Sequence, residues 1–231
     1  MTDSLSSAPE GDADLAAVIS SGAARLGVDI EAVQIAELVV YLRLIDRWNG
    51  TYNLTAVRTL RAMATQHILD SLAVIPTFRS LFPREAVRRV LDVGSGAGLP
   101  GVVIAIVDRG ASVVCVDSVG KKAAFVTQVA STLALGNLSA IHARVEAMRP
   151  PPSFGLIISR AFASLADFVS STRHMLQPEG WWVAMKGKVP HQELAEADRL
   201  GVAFKVQPLH VPGLDAERCL LIGQLVTESK R

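Results

Sequence analysis

Apolar residues recur at helical spacing through the first third of the chain and in short bursts thereafter. Leu15, Val18, Ile19, Ala23 and Leu26 form the first helical stripe, which Gly27 ends. A second helix is expected after Asp29, a good N-cap, with Glu31 in its first turn. Its stripe is Ile35, Leu38, Val39, Leu42, Ile45 and Trp48, and Asn49-Gly50 should stop it. A third helix is expected over 60–75, with Met63, Ile68, Leu69 and Leu72 inward, until Pro76 breaks the pattern.

From residue 87 the rhythm changes. Strands are expected over 87–93, 112–117, 139–145, 156–160, 181–185, 204–209 and 219–226, and helices over 101–107, 121–135, 165–176 and 191–200. This alternation implies a mainly parallel sheet with helices on both faces. Pro212-Gly213-Leu214-Asp215 is too short for a parallel crossover, so the last two strands should pair antiparallel. Three regions follow: a disordered N-terminus over 1–14, a helical cap over 15–80, and an α/β domain over 81–231. The first is rich in Ser, Ala, Gly and Asp without periodicity. The last residues, Glu228 to Arg231, are expected to fray.

Composition narrows the picture only a little. Half of the 231 residues are hydrophobic and 19% are charged, enough for one good-sized core. A net charge of +1 neither demands nor excludes a nucleic-acid partner, because phosphate affinity depends on local clustering. Cys115 and Cys219 have no second Cys or close His to complete a metal pattern, so no metal site is expected. Cys115 sits in an apolar run and reads as a buried free thiol in a reducing compartment. The N-terminus lacks a basic stretch followed by an apolar one, and the apolar runs are too short for a bilayer. A cytoplasmic protein with no membrane partner is expected, and it is read as a monomer.

The candidate chemistry lies in Asp92–Gly101, DVGSGAGLPG, between the first strand of the α/β region and a helix. Gly94, Gly96, Gly98 and Gly101 permit positive φ and let a ligand approach bare backbone. Two cofactors fit. The run from Gly96 to Gly101 satisfies G-x-G-x-x-G, and Asp117 ends the next strand where a ribose-binding acid belongs, as in a dinucleotide fold. Asp92 tilts the reading toward S-adenosylmethionine: a carboxylate at the strand end suits that cofactor's cationic amino-acid end and is misplaced beside a pyrophosphate. The expected architecture is then the class I S-adenosylmethionine-dependent methyltransferase fold. It is Rossmann-like, with seven mainly parallel strands, an antiparallel last strand and an N-terminal helical extension.

Further pieces make the match specific. They are Asn53–Val57 (NLTAV), His67–Leu72 (HILDSL), Val116–Lys122 (VDSVGKK), Ala143–Glu146 (ARVE), Ile158–Ala163 (ISRAFA) and Met185–Lys188 (MKGK). In this order and spacing, from about residue 40 to the C-terminus, the chain resembles the RsmG (GidB) family of 16S rRNA (guanine-N7)-methyltransferases. Leu99 stands where many members carry Phe. The resemblance implies methylation of guanine N7 in the 530 loop of 16S rRNA, with the rRNA or the small ribosomal subunit as partner. It places Gly94 and Leu99 in the first cofactor-contacting loop, Val145 and Glu146 beside the adenine, and Arg160 at the end of the fourth strand. Asp92 and Asp117 belong to the same pocket on the superfamily pattern. Two other functions stay open: a nicotinamide-dependent oxidoreductase, and a catalytically inactive methyltransferase fold serving ribosome assembly.

Guanine N7 already offers a lone pair, so no general base is required and no catalytic residue is assigned. Neither cysteine sits in a loop suited to cytosine C5 chemistry, and the position after the fourth strand reads Ser159-Arg160-Ala161-Phe162, without the Pro-Pro-aromatic pattern of exocyclic adenine methylation. Pro150-Pro151-Pro152 reads as a loop. Arg160, among Ile157, Ile158 and Phe162, is either a strand-end cap or a desolvated cleft residue, and the second is favoured. Lys121, Lys122, Arg160 and Lys186 are the RNA-contact candidates. The two lysines that open a helix are electrostatically misplaced unless they meet phosphate. His67 is expected to bond Asp70 within its helix and to help dock the cap onto the sheet.

Overall fold

The computed structural model describes residues 11–149, 153–160, 162 and 164–226. Residues 1–10, Pro150–Pro152 and Glu228–Arg231 therefore lie outside the described residues, together with the expectations of disorder, loop and fraying placed on them.

Helix α1 (Asp12–Arg25) starts two residues before Asp14, so 12–14 belong to a helix and not to a disordered N-terminus. Asp12 and Asp14 sit in its first turn, where the helix dipole favours carboxylates. Helix α2 (Ala32–Tyr52) is capped by Glu31, not Asp29, through a reciprocal capping box with Gln34. It runs past Asn49-Gly50 and ends where Asn53 turns left-handed at φ 50°. Asn49 does not stop the helix because its side chain is buried and accepts from the Thr55 amide at 2.9 Å.

The third expected helix is three pieces: α3 (Leu60–Met63), a π-helical turn (Ala64–Leu69) and α4 (Asp70–Leu72). The widened turn carries His67, and π-turns often mark functional positions. Pro76 does not end this run but opens α5 (Ile75–Leu81), at a position where its missing N–H leaves no bond unmade. Helix α6 (Arg84–Val87) leads into the sheet.

The α/β part runs β1 (Arg89–Val93), α7 (Gly101–Val107), β2 (Ser112–Asp117), α8 (Gly120–Thr132), β3 (Leu138–His142), β4 (Phe154–Ser159), α9 (Leu165–Thr172), β5 (Leu176–Lys186), α10 (His191–Asp198), β6 (Val202–Leu209) and β7 (Arg218–Leu225). The strand order is β3-β2-β1-β4-β5-β7-β6, with β7 antiparallel to both neighbours and the others parallel. The third strand stops at His142, and Val145 instead begins a short 3-10 turn (Val145–Ala147). Helix α9 stops at Thr172, Arg173–Met175 form a 3-10 turn, and β5 begins at Leu176, the last residue expected as helix.

Successive residues of β1 point to opposite faces. Val90 packs with the cap, α7 and α8, whereas Leu91 and Val93 pack on the α9 side. Leu38, Tyr41, Leu42 and Ile45 of α2 share one core with Val102, Ile104 and Ile106 of α7. Each such buried aliphatic side chain contributes about 1.5–3 kcal/mol. The boundary near residue 80 therefore marks a change of element type and not a gap in packing. Among the described residues no helix is long and apolar enough to cross a membrane, and no three metal-ligating side chains gather.

Candidate functional site

The loop after β1 has positive φ at Gly94 (66°), Gly96 (59°) and Gly98 (85°), so L side chains there would be strained. A Cβ on Gly96 would meet nothing within 4 Å, which leaves that backbone open on its outer side. Six of the loop's N–H groups are taken up by protein acceptors. Gly94 and Ser95 donate to the Val116 carbonyl at 2.8 and 3.2 Å, and Gly96 donates to Asp117 Oδ2 at 2.9 Å. Gly98 and Leu99 donate to the Ser95 carbonyl, and Gly101 to Asp92 Oδ2 at 2.8 Å. A pyrophosphate cradle needs such N–H groups free at a helix N-terminus. Here they are engaged, and a carboxylate occupies the start of α7.

Asp92 is fully buried. Its Oδ2 holds Gly101, its Oδ1 has no partner among the described residues, and the Cys115 thiol lies 4.0 Å from Oδ2. Burial pushes its pKa up to about 7, with the Gly101 amide and Arg160 pulling the other way. The sequence reading set Asp92 against the cofactor; the structure turns the carboxylate under the loop, where it fastens α7. Leu99 is likewise buried in the core beneath the loop. Tyr41 reaches the same region from α2: its hydroxyl donates to the Ala97 carbonyl at 2.5 Å.

A cleft of about 180 Å³ opens beyond the carboxyl ends of β1, β2 and β3. Gly94, Asp117, Val145 and Glu146 line it, as the sequence reading expects, together with Val93, Ser118, Ala143, Arg144 and Phe162. Asp117 Oδ1 accepts from the Val119 amide at 2.9 Å, and Lys122 Nζ approaches Oδ2 at 3.9 Å. Valine walls, an aromatic ring and two carboxylates suit an adenosine: a flat apolar face and hydroxyls that donate. Phe162, which the motif reading passed over, packs on Phe168 at 5.1 Å between ring centres.

A second cleft of about 340 Å³ is lined by Gln66, His67, Asp70, Arg160, Met185, Lys186, Gly187 and Arg218. Arg160 and Phe162 bring the two clefts together at the end of β4. Asp70 is the hub: Arg160 Nη1 donates to Oδ2 at 3.2 Å and Arg218 Nε to Oδ1 at 2.9 Å. The expected His67–Asp70 bond is not formed. His67 Nε2 instead meets Thr55 Oγ1 at 2.8 Å, and its Nδ1 has no partner among the described residues. Burial first, and Arg160 second, lower its pKa to about 4, so the ring is neutral near pH 7. Asp70, and not His67, ties the cap to the sheet. Arg218 was invisible to motif reasoning, since it lies 148 residues from its partner.

Lys186 donates to Glu193 Oε2 and to the Phe162 carbonyl, both at 3.0 Å, while Glu193 also accepts from the Leu165 amide at 2.9 Å. Lys186 thus links Phe162 to Glu193 of α10. Lys121 is exposed and lies 6.0 Å from the Tyr52 ring centre. Of the four RNA-contact candidates, Arg160 and Lys186 line the second cleft, Lys122 approaches Asp117 of the first, and Lys121 lines neither.

The family model described as rRNA small subunit methyltransferase G matches residues 34–222. A protein of Methylibium petroleiphilum named ribosomal RNA small subunit methyltransferase G is 52% identical over 207 residues, covering 90% of this chain and 93% of its own. One of the same name from Acidovorax ebreus is 50% identical over 210 residues, covering 88% and 92%. Among solved structures, a glycopeptide N-methyltransferase bound to S-adenosylhomocysteine superposes with a TM-score of 0.56 at 13% identity, over 68% of this chain and 90% of its own. An S-adenosylmethionine-dependent methyltransferase from Thiobacillus denitrificans gives 0.52 at 13% identity, over 68% and 91%. The fold is that of the class I methyltransferases.

Proposed function

The chain belongs to the rRNA small subunit methyltransferase G family, and on that premise we propose that it moves the methyl group of S-adenosylmethionine to guanine N7 in the 530 loop of 16S rRNA. The observation that carries the cofactor is the commitment of the glycine loop's N–H groups to protein acceptors, beside a cleft with apolar walls and two carboxylates. That arrangement leaves no cradle for a pyrophosphate, which disfavours the nicotinamide alternative.

Gly94 would give the cofactor bare backbone; Asp117 and Glu146 would accept from its hydroxyl and amino groups, and Val145 and Phe162 would hold the adenine. Asp92 and Leu99 act from below, by fixing the loop. When bound, the cofactor supplies an activated methyl group on a sulfonium, so alignment and exclusion of water do much of the catalysis. The acceptor base enters from the second cleft. Arg160, Arg218 and Lys186 there outnumber the single carboxylate lining it and draw RNA phosphate toward the reaction centre. N7 attacks with its own lone pair, and neutral His67 takes no proton in the step. The protein works in the cytoplasm as a monomer.

The test is mass mapping of 7-methylguanosine in 16S rRNA from cells with and without the protein. Loss of one 7-methylguanosine in the 530 loop is expected; an unchanged map overturns the activity. Calorimetry separates the cofactors: saturable binding of S-adenosylhomocysteine and none of NAD is expected, and the reverse removes the reading. An inactive assembly factor is excluded by turnover on purified small subunits.

A further inference from the structure

A third cavity, of about 560 Å³, lies at the opposite pole of the sheet from both clefts. It opens at the amino ends of β1 and β2, where Phe78, Phe82, Val90, Ile104 and Val107 make an apolar floor. Arg79, Arg84 and Arg88 stand on its rim, all exposed. None of the three makes an ion pair or a side-chain hydrogen bond among the described residues. The carboxylate in the lining, Asp108, already accepts from the Gly110 amide at 3.0 Å. We propose that this cavity is a second rRNA-docking surface, taking backbone phosphates on its arginine rim and an unstacked base against its apolar floor.

Charge selects the ligand class. Within ten residues the three arginines outnumber Glu85, and with Asp108 of the lining counted the rim still keeps net positive charge, which a polyanion meets. By contrast, the arginines and Lys186 of the second cleft already face Asp70 and Glu193. Guanidinium groups suit phosphate through paired N–H donors. Shape adds to charge: the volume falls in the range of ligand pockets, about 300–1,000 Å³, and far exceeds what a phosphate needs. One wall is stiffened by aromatic contacts, with Phe82 5.4 Å from Phe78 and 5.1 Å from Trp181 between ring centres. Single-stranded RNA is commonly held by phosphate contacts combined with bases on apolar or aromatic surface. A substrate the size of the small subunit spans both poles of the molecule.

This inference rests on the proposed rRNA substrate, so its test reads binding apart from methylation. The full-length protein and the R79Q/R84Q/R88Q variant are titrated with 16S rRNA by filter binding over a salt series. Each lost phosphate contact lowers the log–log salt slope by about 0.7 for a single strand, so a fall of about 2 and an affinity loss of about tenfold are expected. S-adenosylhomocysteine affinity, measured in parallel, should stay unchanged and reports an intact fold. An unchanged slope and RNA affinity with that fold intact overturns the docking surface. So does loss of binding to polyglutamate without loss of binding to RNA, which assigns the rim to an acidic protein. If the variant misfolds, V107W, which fills the floor and spares the arginines, decides: RNA affinity should fall, and no change overturns the proposal. Absence of methylation by the wild type, with the salt-slope effect preserved, defeats the activity alone.

Discussion

The Tyr41 hydroxyl donates to the Ala97 carbonyl, joining α2 of the cap to the middle of the glycine-rich loop. The same helix grips the far end of α7, where Gln34 Nε2 donates to the carbonyls of Ile106 and Val107 at 2.9 and 3.2 Å. Arg109, just beyond α7, pairs with Glu37 of α2. The cap thus holds α7 and its loop at both ends. Tyr41→Phe keeps the ring, which stacks on Phe125 at 6.4 Å, and leaves a buried carbonyl unpaired. That costs about 1–3 kcal/mol. S-adenosylmethionine KM should rise about tenfold, with kcat changed less, and calorimetry with S-adenosylhomocysteine should show the same loss.

Residues 81–231 expressed alone should not fold cooperatively. The α7 helix is buried along its whole length, and α1, α2 and the π-helical turn share its core. Removing the cap exposes Val102, Ile106 and Phe125 to water at about 25 cal/mol per Å². Strong dye binding and a broad urea transition are expected; a sharp transition would show an independent domain.

Asp70→Asn should destabilise the protein by about 2 kcal/mol in urea and lower methyl transfer more than cofactor binding. The buried carboxylate pairs with two partly exposed arginines, one at each oxygen, and an amide offers only one oxygen to accept. Solvent around Arg160 and Arg218 limits the cost. A variant as stable and active as the wild type would remove Asp70 as the hub.

Two buried groups pull stability in opposite directions with pH. His67 has a folded pKa of about 4 against an ordinary 6.5, so its contribution is full above 6.5 and is lost as pH falls toward 4. Asp92 has a folded pKa of about 7 against 3.8, so its contribution is full below 3.8 and is lost as pH rises toward 7. Between pH 4 and 6.5 the two offset each other. Relative to the wild type, His67→Gln should lose stability as pH rises through this window, and Asp92→Asn should gain it. Urea midpoints at half-unit steps check both signs.

Gly94→Asp should abolish S-adenosylhomocysteine binding. It places a side chain at a φ of 66° and a third negative charge in the cleft that Asp117 and Glu146 already line. Retained affinity would move the cofactor elsewhere.

Much of this protein is written locally. Short apolar runs between helical stretches mark seven strands, the short link before β7 forces the antiparallel hairpin, and four glycines between strand and helix announce the cofactor loop. Helix ends were less legible: a buried Asn49 and a capping box at Glu31 outweighed Asn-Gly and Asp29. Tertiary structure alone decided which charges meet. Asp70 finds Arg160 and Arg218 across 90 and 148 residues, so His67 is left to Thr55, and Lys186 is taken by Glu193. It also turned Asp92 beneath the loop rather than toward the cleft. Periodicity reports a residue's neighbours two to four positions away. The order in which strands join the sheet sets every longer contact, and no local pattern carries it.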